Sequence, residues 1–204
     1  MLRLHRHALS GHSHRVQLFM SLTGLAHEIV EVDLPNGAHK QPEFLQKSMF
    51  GQVPVLEDGD VTIADSNAIL VYLARRYTEP SWYPDAPESA ARIQRWLSVA
   101  AGKLTQGPAD ARLVTVLGAQ LDHDRAKAIA EDLFAVLDAY LSDRSWLADD
   151  RPTIADIACY TYTAHAPEGE VSLEPYPNIR DWLHRVESLD GFVPMQATAV
   201  GYAA

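Results

Sequence analysis

The stretch from Phe50 to Ala68 constrains the fold of this chain more than any other part of its sequence. Two short apolar runs, at 53–56 and 61–64, flank the dipeptide Asp58-Gly59. An Asp-Gly pair between strand-like runs is a strong signal for a two-residue hairpin turn, because both central positions of that turn need positive φ. Pro54 opens the first run, where its missing N–H is tolerated and a cis bond is often kept. The stretch therefore predicts a tight antiparallel hairpin.

A helix start follows the hairpin directly. Asp65-Ser66 precedes apolar residues at helical spacing, and Ser66 is a good N-cap residue. The free N–H groups and partial positive charge of a helix start suit a carboxylate, while the Asp65 carboxylate suits a cation. With the strand-entry backbone beside Pro54, these features predict a site for a small zwitterionic peptide.

The same residues carry a family resemblance. Val53-Pro54 before a hairpin, followed by Asp65-Ser66, resembles the glutathione transferases over nearly the whole chain, with the bacterial, serine-type (theta-, zeta- or nu-like) members nearest in pattern. The resemblance implies that the Val53 backbone pairs with the cysteinyl amide of glutathione, beside a cis bond to Pro54. It also implies that Asp65 and Ser66 hold the γ-glutamyl ammonium and carboxylate.

The first 78 residues have the pattern of an α/β domain. Alternation at 2–5 and 30–34 predicts two strands, helical spacing at 16–20 predicts a helix that stops before Gly24, and Pro42 suits the first turn of a short helix. With the hairpin and its helix, the order is βαβαββα, in which the first two strands are joined in parallel. We expect a thioredoxin-like glutathione-binding domain over residues 1–78.

The rest of the chain is predicted to be helical. Three prolines stiffen the stretch at 78–88, so we expect a linker over 79–87 and an all-α helical-bundle domain over 88–204. Thr153 and Asp156 have the spacing of a capping box, which assigns both residues to folding rather than to catalysis.

Composition narrows the partners and the compartment. With 17 Lys and Arg residues against 27 Asp and Glu residues, the net charge is −10, which argues against nucleic acid and against an anionic membrane surface. The sequence shows no apolar run long enough to span a bilayer and no signal-peptide core after Met1. A single cysteine, Cys159, excludes an internal disulfide and indicates the cytoplasm. Its apolar neighbours predict a buried, inert thiol.

The loop before the first helix holds the candidates for activating the ligand thiol. A free thiol has a pKa of about 8.5, and lowering it by two units takes about 2.7 kcal/mol in favour of the thiolate. A donating hydroxyl and a helix start could together supply this. Serine-type transferases place their serine six residues before a helical valine, and Ser10 stands at that distance from Val16. The resemblance therefore implies that Ser10 stabilises the thiolate, with Ser13, which could also be the helix N-cap, and His12 as alternatives.

Further residues follow from the resemblance. It implies that the glycine carboxylate of glutathione contacts His39, Lys40 and Gln52, and that the second substrate binds near the first helices of the helical domain. The candidates for that second pocket are Lys103, Gln106, Arg112 and His165. The histidines at 5, 7, 12 and 14 lack the spacing and the acidic or thiol neighbours of a metal site, so we predict no metal.

The leading functional hypothesis is an enzyme that binds glutathione and adds its thiolate to a small electrophile, or uses it to reduce a disulfide or peroxide. Glutathione acts as co-substrate, and no metal or organic cofactor is needed. The alternative is a non-catalytic binding or regulatory protein on the same scaffold, since fold does not fix function. The resemblance also implies a homodimer.

Overall fold

A computed structural model describes residues 1–201 of the chain. Its sheet has four strands, which are β1 (Leu2–Arg6), β2 (His27–Glu31), β3 (Val55–Asp58) and β4 (Val61–Ala64). They lie in the order β2-β1-β3-β4, with β1 parallel to β2 and antiparallel to β3, and β3 antiparallel to β4. This arrangement confirms the predicted order of elements along the chain and the predicted strand directions.

The hairpin turn differs by one residue from its prediction. Asp58 is the last residue of β3 and pairs with Val61, so the two turn residues are Gly59 and Asp60 rather than Asp58 and Gly59. Of these two, Gly59 has positive φ, at 59°. Positive φ at the first central position is the requirement of a type II′ turn, which explains why one glycine is enough.

The first half has three helices, of which two begin earlier than predicted and one has Pro42 in its first turn, as predicted. They are α1 (Gly11–Leu22), α2 (Pro42–Leu45) and α3 (Ser66–Tyr77), with a 3₁₀ turn at Ala38–Lys40. Ser10, not Ser13, is the N-cap of α1, and Asp65, not Ser66, is the N-cap of α3. In both cases an earlier polar side chain accepts the N–H three residues on, and so the helix begins sooner.

The second half is helical, as predicted. Its helices are α4 (Pro87–Ala101), α5 (Asp110–Leu117), α6 (His123–Leu141), α7 (Ile154–Ala164) and α8 (Pro177–Glu187), with a π-helical turn at Thr105–Ala109 before α5 and a 3₁₀ turn at Ala166–Gly169. The capping box is confirmed: the Thr153 hydroxyl caps α7, and Asp156 accepts the Thr153 N–H. Both side chains are fully buried.

One apolar core joins the two halves. Buried residues of β1, α1 and α3 form a single cluster with those of α4, α6, α7 and α8. Cys159 lies inside this cluster, and burial raises the pKa of its thiol to about 12. The prediction of a buried cysteine is therefore confirmed, and the raised pKa favours the unreactive thiol over the thiolate. No helix within residues 1–201 is long and apolar enough to cross a membrane.

Candidate active site

A cavity of about 900 Å³ lies beside the sheet, between the segment before β3 and the starts of α1 and α3. All seven residues predicted to bind the peptide line it, together with one of the candidates for the thiol. They are His39, Lys40, Gln52, Val53, Pro54, Asp65, Ser66 and His12. Residues far apart in the chain therefore meet around one cavity.

The backbone before β3 is open towards a ligand. The Val53-Pro54 peptide bond is cis, as the resemblance implied. Among residues 1–201, the N–H and C=O of Val53 have no backbone partner. Because backbone polar groups are almost always paired, these two are available to an extended peptide in the cavity.

The start of α3 offers groups for both charges of an amino-acid end. Asp65 accepts the backbone N–H groups of Ala68 through its side chain, at 2.9 Å, and of Ile69 through its carbonyl, at 2.9 Å. The N–H groups of Ser66 and Asn67, the first two of the helix, have no such acceptor among residues 1–201. Free N–H groups at a helix start bind a carboxylate, and the exposed Asp65 carboxylate can bind an ammonium group.

Asp65 has an unusual backbone conformation, with φ at 79°. A non-glycine residue in such a region costs of the order of 1–3 kcal/mol and is typical of functional sites. This conformation turns the chain from β4 into α3 at the edge of the cavity. The sequence gives no signal for it, because Asp is a residue type that tolerates positive φ without requiring it.

A buried arginine supports Ser66 from behind. The Arg15 side chain is 1% exposed and donates from one NH group to Ser66 Oγ, at 3.0 Å, and to Asn67 Oδ1, at 2.9 Å. Burial lowers the pKa of Arg15, yet a guanidinium keeps its charge in proteins. Arg15 thus adds positive charge at the helix start. Sequence reasoning missed it, because its partners lie about fifty residues away on another helix.

Ser10 and Ser13 have different surroundings. Both belong to the described part of the chain, and neither lines the cavity. Ser13 is fully buried, and its Oγ accepts the His7 N–H at 3.4 Å. Ser10 is half-buried, and its Oγ accepts the Ser13 N–H at 3.2 Å. A hydroxyl that accepts in this way still has its proton to donate.

His12 lines the cavity next to Ser66. Its Nδ1 lies 3.4 Å from Ser66 Oγ, and its ring packs edge-on against Tyr162 with centroids 5.0 Å apart. Burial, assisted by the Arg15 charge, lowers the pKa of His12 to about 3. The imidazole is therefore neutral at pH 7 and presents one N–H donor and one acceptor.

Three residues on the opposite wall were predicted to meet the glycine carboxylate. Lys40 Nζ donates to the carbonyls of Phe50 and Gly51, at 3.0 and 3.2 Å, so it also holds the loop that leads to Val53. His39 Nδ1 is buried without a hydrogen-bond partner among residues 1–201. An unpaired buried nitrogen is rare in a folded protein, and this one is available to a ligand in the cavity.

None of the four candidates for the second-substrate pocket, which are Lys103, Gln106, Arg112 and His165, lines the 900 Å³ cavity. Arg112 and His165 are both held by Glu168 inside the protein, away from the cavity lining. Gln106 lines a separate cavity of about 180 Å³. The spacing of the sequence could not show that Arg112 is buried away from the cavity, because it does not indicate which face of α5 points inwards. Within residues 1–201, no three His, Cys, Asp or Glu side chains are placed to hold a metal ion.

The fold and the cavity define a two-domain protein with a thioredoxin-like first domain and an all-helical second domain. Residues 2–75 match the family described as "Glutathione S-transferase, N-terminal domain", and residues 118–190 match "Glutathione S-transferase, C-terminal domain". Glutathione S-transferase 3 of Zea mays is 34% identical over 202 residues, which cover 94% of this chain and 91% of that protein. Glutathione S-transferase theta-2B of Homo sapiens is 32% identical over 200 residues, or 93% and 82% of the two chains.

Solved structures give the same result. A glutathione S-transferase from Pseudomonas fluorescens matches with a TM-score of 0.90 and 29% identity, over 96% of this chain and 99% of that one. Human glutathione transferase theta-2, solved in complex with glutathione and an unknown ligand, matches with a TM-score of 0.84 and 31% identity, over 93% and 82%. The chain therefore belongs to the glutathione S-transferase family. It is a transferase enzyme, which favours the first of the two functional hypotheses over the non-catalytic one.

Proposed function

We propose that glutathione binds in the 900 Å³ cavity and that its thiolate is transferred to a small electrophile, or reduces a disulfide or peroxide. The observation that carries this proposal is the convergence of an open backbone at Val53, free N–H groups at Ser66 and the Asp65 carboxylate on one cavity. These groups match the peptide amide, the carboxylate and the ammonium of a γ-glutamyl peptide.

The remaining wall takes the other end of the peptide. His39, Lys40 and Gln52 receive the glycine carboxylate, with Lys40 supplying the positive charge and His39 the unpaired nitrogen. Bound at both ends, the tripeptide has its cysteinyl sulfur between them, near the start of α1. Holding the reactants in this geometry is a large part of the catalysis.

Ser10 is the residue that we assign to the thiolate. Its Oγ already accepts the Ser13 N–H, and so its own proton is directed elsewhere and can be donated to the sulfur. The thiol gives its proton to solvent, the O–H of Ser10 stabilises the resulting thiolate, and the thiolate attacks the electrophile. His12 is the alternative donor, because its neutral ring lines the cavity.

This chemistry has few other requirements. Glutathione is the co-substrate, and addition of a thiolate needs neither a metal nor an organic cofactor. We infer that the enzyme works in the cytoplasm, where glutathione and a free Cys159 both stay reduced. We also infer a homodimer in which the first domain of each subunit packs on the helical domain of the other. The exposed apolar side chains of Met49 and Phe50 support a covered surface there.

The proposal is tested by two measurements, which are the binding of the protein to immobilised glutathione and the rate of the catalysed reaction. The purified protein is expected to bind immobilised glutathione and to conjugate it to at least one member of a panel of electrophiles, disulfides and peroxides. Ser10→Ala is expected to lower kcat by about 100-fold while the KM for glutathione changes by less than about threefold. Ser13→Ala is the matched control, because it removes a neighbouring hydroxyl that is fully buried, whereas Ser10 is half-buried.

The variants distinguish Ser10 from His12 as the donor to the thiolate. Loss of turnover in His12→Ala but not in Ser10→Ala would transfer the role to the imidazole. Absence of any heat on titration with millimolar glutathione would reject glutathione binding itself.

A further inference from the structure

Four hydrogen bonds fix the backbone of Leu9 and Ser10, and two of them are made by the peptide group between these residues. The Leu9 N–H donates to His7 Nδ1 at 3.3 Å, and the Ser10 N–H donates to the His7 carbonyl at 3.0 Å. The Ser10 carbonyl accepts the His14 N–H at 2.9 Å. All three of these bonds are local to the first domain. The fourth group, the Leu9 carbonyl, takes its partner from the second domain.

That partner is Arg112, which projects from α5. Its side chain is 2% exposed, and one NH group donates to the Leu9 carbonyl at 2.8 Å, across 103 positions of the sequence. Its Nε donates to Glu168 Oε2 at 2.6 Å. A guanidinium is a rigid planar fork, so anchoring Nε to Glu168 fixes the direction in which the NH group points at Leu9.

Glu168 is itself immobilised. It is 7% exposed, and its second oxygen accepts from His165 Nδ1, at 2.8 Å, and from the Thr198 N–H, at 3.1 Å. The same carboxylate therefore ties α5, the end of α7 and the C-terminal segment to one point. Because the buried carboxylate is held from three sides, Arg112 has little freedom to leave the Leu9 carbonyl.

We propose that Arg112 is a positioning residue for the thiolate: held by Glu168, it fixes the Leu9-Ser10 peptide plane and thereby the direction of the Ser10 hydroxyl. The proposal rests on the role assigned to Ser10 above. Without Arg112 the Leu9 carbonyl has no partner, the peptide can rotate, and the hydroxyl no longer points steadily at the sulfur. Arg112 itself does not touch glutathione, because its side chain is 2% exposed and is bound to Glu168 and to the Leu9 carbonyl.

The test compares Arg112→Met with Arg92→Met. Arg92 makes a similar contact within the helical half, from its Nε to the Ala148 carbonyl at 2.8 Å, and its other polar partners are Ser89 and Asp149 rather than Leu9 or Ser10. We expect Arg112→Met to lower kcat by roughly 10- to 100-fold with the KM for glutathione within about twofold, because a misplacement of about 1 Å can cost that much. Arg92→Met is expected to leave both constants unchanged.

A second measurement does not depend on turnover. Amide hydrogen exchange at Leu9 and Ser10 is expected to be at least about tenfold faster in Arg112→Met than in the parent, and unchanged in Arg92→Met. If the parent itself shows no turnover, the proposed function fails, while the exchange rates still report whether Arg112 fixes the peptide.

Arg112→Lys keeps the proposal testable if Arg112→Met does not fold. Lysine retains the charge and one contact, so we expect partial recovery of kcat and of amide protection. A folded Arg112 variant with parental kcat and parental exchange at Leu9 and Ser10 would overturn the proposal. An equal loss of kcat in the Arg92 and Arg112 variants would do the same, because it would indicate general destabilisation.

Discussion

At the scale of single residues, Asp65 has the most demanding position in the structure. It caps α3 through its side chain, its backbone has φ at 79°, and its carboxylate faces the cavity. A residue that replaces Asp65 must therefore adopt positive φ, cap α3 and bind the ligand. Asn meets the first two conditions, because it tolerates positive φ and caps helices as well as Asp does.

Asp65→Asn is thus expected to remove the charge alone. The KM and Kd for glutathione should rise by about tenfold, because the ammonium group loses its anionic partner, while kcat stays within about twofold. Titration calorimetry and steady-state kinetics measure both, and thermal unfolding shows whether the cap is retained. Unchanged affinity in a stable Asp65→Asn protein would show that the ammonium group binds elsewhere.

At the scale of elements, the ionic contacts of Glu57 join β3 to β1 and to the segment before β3. Its carboxylate pairs with Lys47 and with His5, and Arg3 lies 3.6 Å away. Hydrogen bonds from Lys47 and then from His5 lower the pKa of Glu57 to about 2, below the usual value of 4.5. The folded protein therefore binds fewer protons at this site than the unfolded chain.

This gives a pH-dependent prediction. The contribution of Glu57 is complete above about pH 4.5 and is lost as the pH falls towards 2. Glu57→Gln should therefore lower the free energy of unfolding by about 1 kcal/mol at pH 7, a value discounted for solvent screening, and the difference from the parent should shrink through that range. Denaturant unfolding at several pH values measures it. A difference that is independent of pH would contradict the prediction.

Comparison of the predicted and observed elements shows which features could be predicted from the sequence. The order of the elements and the Thr153 cap were predicted from short local patterns, and the cis bond before Pro54 was implied by the family resemblance. The caps of α1 and α3 were assigned too late, because neighbouring residues at each site could all act as caps. Local preference alone does not choose among Ser10, Ser13, Asp65 and Ser66.

At the scale of the whole molecule, the start of α1 is built by both domains. Arg112 holds Leu9, and the Tyr162 ring of α7 covers Gly11 so closely that an added Cβ would lie 2.7 Å from it. Such contacts were beyond prediction from sequence, because they join residues more than a hundred positions apart through tertiary packing. The residues that line the cavity could be predicted, and the residues that position them could not.

Gly11→Ala tests the contact between Gly11 of the first domain and Tyr162 of the second. The added methyl group must displace the buried Tyr162 ring, so we expect a loss of about 1–3 kcal/mol in the free energy of unfolding. Tyr162→Ala provides room for the methyl group, so in the double variant the two losses should be clearly less than additive. Denaturant unfolding of the parent and the three variants gives the four free energies of a double-mutant cycle. Strictly additive losses would contradict direct contact between these residues.

The central claim is that Ser10 stabilises the thiolate of a glutathione molecule bound in the cavity. The ultraviolet absorbance of the thiolate, titrated against pH in the complex of glutathione with the enzyme, measures it directly. We predict a thiol pKa well below the free value of about 8.5 in the parent, returning close to that value in Ser10→Ala while glutathione remains bound. An equally low thiol pKa in the parent and in Ser10→Ala would contradict the claim.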